Sequence, residues 1–157
     1  MISVHALTEE KREEVKDEFY SQLEEVLGIV PKHNVKLILG NWNAKVGREE
    51  VYQGVIGRNS IHENSNDNGK RVVDLASGHN MVVATTVFPH KRIHLGTWIS
   101  LDGNTVNQID HILIDRRHTT DITDARSYRG TDCSTDHYLV NRQKISIKPR
   151  SERAKVL

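Results

Sequence analysis

Asn107-Gln108-Ile109-Asp110-His111-Ile112-Leu113-Ile114-Asp115 is answered about twenty residues later by Ser134-Thr135-Asp136-His137-Tyr138. Two acids and a histidine thus arrive on apolar-flanked segments, where charge needs a reason. Ile109, Ile112, Leu113 and Ile114 read as a β-strand, so Asp110 is a carboxylate set into a strand that should be buried. Burying a charge is costly unless it is paired, hydrogen-bonded or bound to a metal. The bland reading is a strand-end Asp capping a turn. The adjacent pair Asp136 and His137 weighs against it, because a carboxylate and an imidazole together orient and polarise a reacting group.

The elements that must position these groups follow from apolar spacing. Ile2 to Ala6 is a short β-prone stretch. Thr8 offers an N-cap, and Val15, Phe19, Leu23, Val26, Leu27 and Val30 form one apolar stripe down a helix that Pro31 stops. Val35 to Leu39 reads as a buried strand that ends at Gly40 and delivers Asn41-Trp42-Asn43 to a loop. Polar residues at strand ends are where sites are built. Ala44 to Asn68 reads as loop. A second helix is expected from Gly69 to Asn80, burying Val72, Val73, Leu75 and Ala76, followed by a strand from Met81 to Ala84. Thr97 to Ser100 is a further strand, and Asp102-Gly103 a hairpin turn leading towards Asp110. Ile122 to Arg126, Tyr138 to Val140 and Lys144 to Ile147 are weaker strand candidates. The expected organisation is one domain over 1–147 and a basic, fraying tail over 148–157.

Strand ends therefore carry four polar clusters: His5, then Asn41 and Asn43, then Asp110, then Asp136 with His137. None pairs a serine or cysteine nucleophile with a base, so covalent acyl chemistry is not indicated. Oxygen-rich groups with one histidine fit metal-assisted phosphodiester hydrolysis better, where a hard cation such as Mg²⁺ takes carboxylate and phosphate oxygens.

Composition sets the bounds. The 157 residues make one domain's worth of chain, with 36% hydrophobic and 27% charged residues, as suits a folded globular protein. Twenty-two Lys and Arg against 21 Asp and Glu leave a net charge of +1, which by itself announces no polyanionic partner. The distribution is uneven, with eight acids and three bases through Val30, and six bases and one acid from Asn141 onward. Such a tail is more often a solvated face than a nucleic-acid grip. Cys133 is the only cysteine, so no internal disulfide exists and the natural compartment is a reducing one. No apolar run reaches the roughly 20 residues of a membrane helix, and no secretory signal opens the chain. The expectation is an intracellular product, nuclear or cytoplasmic, with no membrane partner.

Leu39-Gly40-Asn41-Trp42-Asn43-Ala44 resembles the Gly-Asp-x-Asn motif of the endonuclease/exonuclease/phosphatase superfamily, Asn107 to Leu113 resembles its Ile-Asp-Tyr motif, and Thr135-Asp136-His137 its Ser-Asp-His motif. Thr97-Trp98-Ile99-Ser100, the Asp102-Gly103 turn, and the run from Arg126 to Val140 look more narrowly like the endonuclease domain of non-LTR (LINE-type) retrotransposons and the craniofacial development protein 2-like host proteins. The resemblance implies an α/β fold, part of a four-layer α/β sandwich (DNase I-like), and a Mg²⁺-dependent nick in DNA. It implies that His137 polarises the scissile phosphate, that Asp110 holds that ring in orientation, and that Asp136 reaches the metal or its water. Asn43 would donate to the phosphate as charge builds, and Trp98 would pack near the DNA groove, unless it is a core tryptophan.

The departures from the family pattern carry as much information. Position 41 is Asn where the motif has the Asp that orients or deprotonates the attacking water. His5 stands where family members have a tyrosine beside the phosphate. The family also has an upstream stretch, with a metal-binding Glu and another Asn, that this chain does not contain. The expected function is accordingly a retrotransposon-derived endonuclease by descent, impaired or inactive as this chain. The alternatives are a non-catalytic nucleic-acid- or protein-binding module and a phosphoesterase acting on small molecules. With only about one of two stacked sheets supplied, an apolar sheet face should stay exposed and favour self-association or a complementary half-domain.

Overall fold

The structure, a computed structural model, describes residues 1–128 and 146–147. Its centre is a four-stranded sheet in the order β1-β2-β6-β3, built from Ile2–His5 (β1), Leu37–Asn41 (β2), Met81–Val83 (β3) and Asp110–Asp115 (β6). β1 runs parallel to β2, and β6 is antiparallel to both β2 and β3. Two short ribbons flank it: Trp98–Ile99 (β4) with Val106–Asn107 (β5), and Ile122–Asp124 (β7) with Ser146–Ile147 (β8). The β4–β5 hairpin turns at Gly103, whose φ of 76° suits glycine.

Helices α1 (Glu13–Ile29) and α2 (Asp67–Gly78) pack on one face of the sheet. That face and the helices share the larger core, in which Leu23, Leu27, Ile38, Trp42, Val72, Val73 and Leu113 are all buried. α2 starts two residues earlier than the sequence suggests, because Asn66 caps it by accepting the Gly69 N–H at 2.8 Å. The four apolar residues expected on its inner side, Val72, Val73, Leu75 and Ala76, are indeed buried.

α1 departs from its expected stripe. Thr8 is not its cap; the helix enters at Arg12 without a side-chain cap. Val15 and Val26 are more than two-fifths exposed, whereas Lys16 is 2% exposed. The helix is rolled so that Lys16, Tyr20, Leu23 and Leu27 face inward. The Lys16 ammonium donates to the Glu9 carbonyl at 2.8 Å and to Asp67 at 3.1 Å, and Tyr20 stacks on Trp42. Two charge-assisted bonds offset the desolvation that would otherwise keep a lysine out.

The second sheet face is covered unevenly. Ile112 and Ile114 of β6 are buried with Ala84, Ile122 and Ala125, while Leu37 and Leu39 of β2 are only half-buried there. β7 and the segment after β3 thus roof one side of this face, so it is less bare than a single-sheet reading expects. The Tyr138 to Val140 strand and the 148–157 tail lie outside the described residues. No described helix is long and apolar enough to cross a membrane.

β2 ends where its backbone crosses close to β1. Gly40 has φ +146°, and a Cβ there would sit 2.0 Å from the Val4 carbonyl oxygen. Gly40→Ala is expected to destabilise the protein by on the order of 3 kcal/mol, through an overpacked strand pair and a backbone angle hostile to a side chain. The urea midpoint measures it, and an unchanged midpoint would contradict this close approach.

Candidate active site

Register brings together three of the residues singled out in the sequence. His5 pairs with Asn41 across β1 and β2, and Asn41 pairs with Asp110 across β2 and β6. Side chains directly opposite one another share a face of a sheet. His5, Asn41 and Asp110 therefore form one row across three strands, graded from exposed through half-buried to fully buried. The Thr97 hydroxyl anchors the buried end, accepting the N–H groups of Ile109 at 3.0 Å and Asp110 at 3.2 Å. Trp42, buried beneath the row, donates its backbone N–H to the Ile109 carbonyl at 3.0 Å and its indole N–H to the His111 carbonyl at 3.1 Å.

Asn43 leaves the sheet in a left-handed conformation, φ 47°, which asparagine tolerates better than most residues. Its backbone N–H donates to Asn41 Oδ1 at 2.8 Å, and its Nδ2 donates to the Ala6 carbonyl at 2.8 Å. The Asn41 amide oxygen is thereby engaged in shaping the loop, and Asn43 keeps one amide hydrogen for another acceptor. Beside the row opens a cleft of about 450 Å³ whose lining includes Glu9, Glu10, Asn43, Lys45, Trp98 and Asn107. Trp98 is half-buried and sits across the β4–β5 ribbon from Asn107, so it lines the cleft rather than the core. Asp136 and His137 lie outside the described residues.

Several structural partners are not among the residues singled out from the sequence. His111 is fully buried, with Nε2–H donating to the Ala44 carbonyl at 2.8 Å and Nδ1 2.9 Å from the Thr85 hydroxyl. Burial lowers its pKa to about 4, against small opposing effects of backbone hydrogen bonds. His62 accepts the Gln108 N–H at 3.1 Å, and burial, followed by the charge of Lys45, lowers its pKa to about 4 as well. Gln108 is buried, taking the Ser60 hydroxyl and the Ile61 N–H, each at 3.3 Å, and donating to the Thr85 carbonyl at 3.2 Å. This polar lattice fixes the start of β6, and so the height of Asp110. Gln108 and His111 flank Asp110 in an otherwise apolar run, which was the one available hint. Lys45, two residues beyond Asn43, brings a cation to the cleft.

Among the described residues no three His, Cys, Asp or Glu side chains are arranged to hold a metal ion, and the row supplies one carboxylate beside an engaged amide. Asp136, the carboxylate expected to reach a metal, lies outside the described residues, so the described groups supply only part of the oxygen donor set that Mg²⁺ takes.

Comparison with solved structures matches the chain to the 3′ phosphatase NExo from Neisseria bound to a product DNA hairpin (TM-score 0.59, 18% identity), covering 86% of this chain and 56% of that one. A 3′-5′ exonuclease from Neisseria meningitidis matches with a TM-score of 0.61 and 16% identity, over 86% of this chain and 57% of that one. The endonuclease domain of TRAS1, a telomere-specific non-LTR retrotransposon, matches with a TM-score of 0.51 and 14% identity, over 85% and 50%. The chain has the endonuclease/exonuclease/phosphatase fold. In sequence it is 36% identical to craniofacial development protein 2 of Tragulus javanicus over 98% of its length, and 35% identical to that of Bos taurus. It spans about a quarter of those proteins, 27% and 26%, and about half of its structural relatives. No protein-family model matches it. The resemblance read from the three motifs, to retrotransposon endonucleases and craniofacial development protein 2, is thus borne out.

Proposed function

We propose that this chain is an endonuclease-type phosphodiesterase by descent whose hydrolytic step is impaired at position 41, on a scaffold that still receives DNA. One observation carries the reading: the row His5, Asn41, Asp110 is assembled in register, yet its centre is an amide whose oxygen already accepts the Asn43 N–H. An amide takes up no proton at neutral pH, so the row lacks a base where hydrolysis would need one to activate water. Asp110 is the group that would orient His137, Asp136 the group that would reach Mg²⁺, and His5 and Asn43 the groups nearest the phosphate. Purified protein with Mg²⁺ should leave supercoiled plasmid intact. Robust nicking that disappears in His137→Ala would overturn the impairment.

The adjoining cleft supports the binding half of the proposal. Trp98 offers a ring for a base or sugar, and Lys45 a charge for a phosphate. Lys45→Ala is expected to weaken DNA binding and to lower the salt slope of log K by about 1, while Asp110→Asn leaves binding unchanged. Anisotropy of a labelled duplex at several salt concentrations reads both. Absence of binding at low salt would leave a protein-binding module as the reading. The half-buried Leu37 and Leu39 would then serve a complementary half-domain or a second copy.

A further inference from the structure

The end of the sheet away from the His5–Asn41–Asp110 row gathers basic side chains from separate parts of the chain. Lys32 and Lys36 in the α1–β2 connection, His79 after α2 and Arg117 after β6 line a second cleft of about 390 Å³, closed by Asn80 and Asp115. Asp115 is the one carboxylate in this lining, and it is buried and engaged. Its Oδ2 accepts the Lys36 N–H at 2.8 Å and lies 3.8 Å from Arg117 Nη2. Arg117 Nη2 also donates to the Lys32 carbonyl at 2.9 Å. Among the described residues, neither the Lys32 nor the Lys36 ammonium makes a hydrogen bond or ion pair. The Glu24 carboxylate lies 3.9 Å from His79 Nε2 and is not part of the cleft's lining.

The backbone under these cations is tied together. Asp115 N–H donates to the Lys36 carbonyl at 3.1 Å and Arg116 N–H to the Asn80 carbonyl at 2.9 Å, which joins the three stretches before any ligand arrives. Preorganised donors bind with less ordering cost than free loops. The C-terminal end of α2 reaches this cleft at Gly78, and its dipole contributes about half a negative charge that fades within a turn. That opposes an anion, but three full cations against one engaged carboxylate outweigh it. A guanidinium beside two ammonium groups matches the tetrahedral, multiply charged phosphate better than a lone carboxylate. Five residue steps along β2, from Lys36 to Asn41, separate the cleft from the row by roughly 16 Å, so one phosphate cannot touch both.

We propose that this cleft is a second anion site, distinct from the candidate active site, for a phosphate group carried either on a small phosphorylated molecule or on a nucleic-acid backbone. The test is a ¹H–¹⁵N NMR titration of the whole chain at constant ionic strength, with inorganic phosphate in one arm and a short oligothymidylate in the other. Saturable shifts at the amides of Lys36, Asn80 and Arg117 are expected, with Kd raised about tenfold or more in the Lys32→Gln/Lys36→Gln double variant. Lys36→Arg, which keeps the charge, should retain binding, and Lys45→Ala, in the other cleft, should leave these shifts unchanged. Saturation by inorganic phosphate points to a small phosphorylated ligand, and saturation by the oligonucleotide alone to a backbone. Shifts that only track chloride, or saturation unaffected by the double variant, overturn the site.

Discussion

Replacing Asn41 with Asp is expected to raise Mg²⁺-dependent plasmid nicking by about 10²–10⁴-fold, the range that a positioned general base contributes. The substitution is nearly isosteric. One carboxylate oxygen can still accept the Asn43 N–H that Asn41 Oδ1 now holds at 2.8 Å, leaving the other to take a proton from water. The new carboxylate would stand directly across the strand pair from Asp110, which is fully buried. Like charges opposed in this way raise the pKa of one of them, which moves a carboxylate towards the range useful to a base at neutral pH. The same repulsion costs stability, by about 0.2–1 kcal/mol for an opposed pair. Native Asn41 therefore avoids a repulsion that a working site would have to tolerate. Gel separation of supercoiled and nicked plasmid reads the rate. The gain must vanish in Asn41→Asp/His137→Ala, and no gain from a folded Asn41→Asp variant would sink the claim that the amide is the block.

How far the sequence reveals this site depends on whether a feature is local or comes from pairing. Asp110 was legible because a carboxylate inside Ile109 to Ile114 violates the pattern around it, and its strand is buried at all six positions. The row was not legible. It exists because β6 pairs antiparallel with β2 and β1 lies parallel on the other side, and a one-residue slip in either register would send Asn41 or His5 to the opposite face. α1 shows the same limit at the level of a helix. Its apolar spacing admits a face centred on Val15 and Val26, but Asp67 and Trp42, distant in sequence, draw Lys16 and Tyr20 inward instead. Trp98 was ambiguous between groove and core until the β4–β5 ribbon placed it against Asn107 beside the cleft.

Acid should weaken this fold before its carboxylates titrate, and His111 is the reason. In the folded chain its pKa is lowered from 6.5 to about 4 by burial, with no carboxylate among its hydrogen-bond partners to hold an imidazolium. The unfolded chain, whose imidazole titrates at its ordinary value, binds a proton as pH falls below about 6.5, and the folded chain refuses it until about 4. Protons therefore favour unfolding throughout that window. The stability tied to His111 is complete above the upper value, is lost progressively towards the lower one, and amounts to about 3 kcal/mol. His62, half-buried and lowered in the same direction, adds to the loss over the same range. Asp67 is pushed up by burial but pulled down further by its hydrogen bonds to Lys16 and Arg71, so its contribution disappears only below the ordinary carboxylate range. Urea midpoints measured from pH 7 to pH 4.5 should fall steadily in the native chain. His111→Gln, which has no proton to take up, should begin less stable at pH 7 and lose less on acidification. Parallel curves for the two proteins would show that His111 titrates normally and is not the buried neutral imidazole that fixes the start of β6.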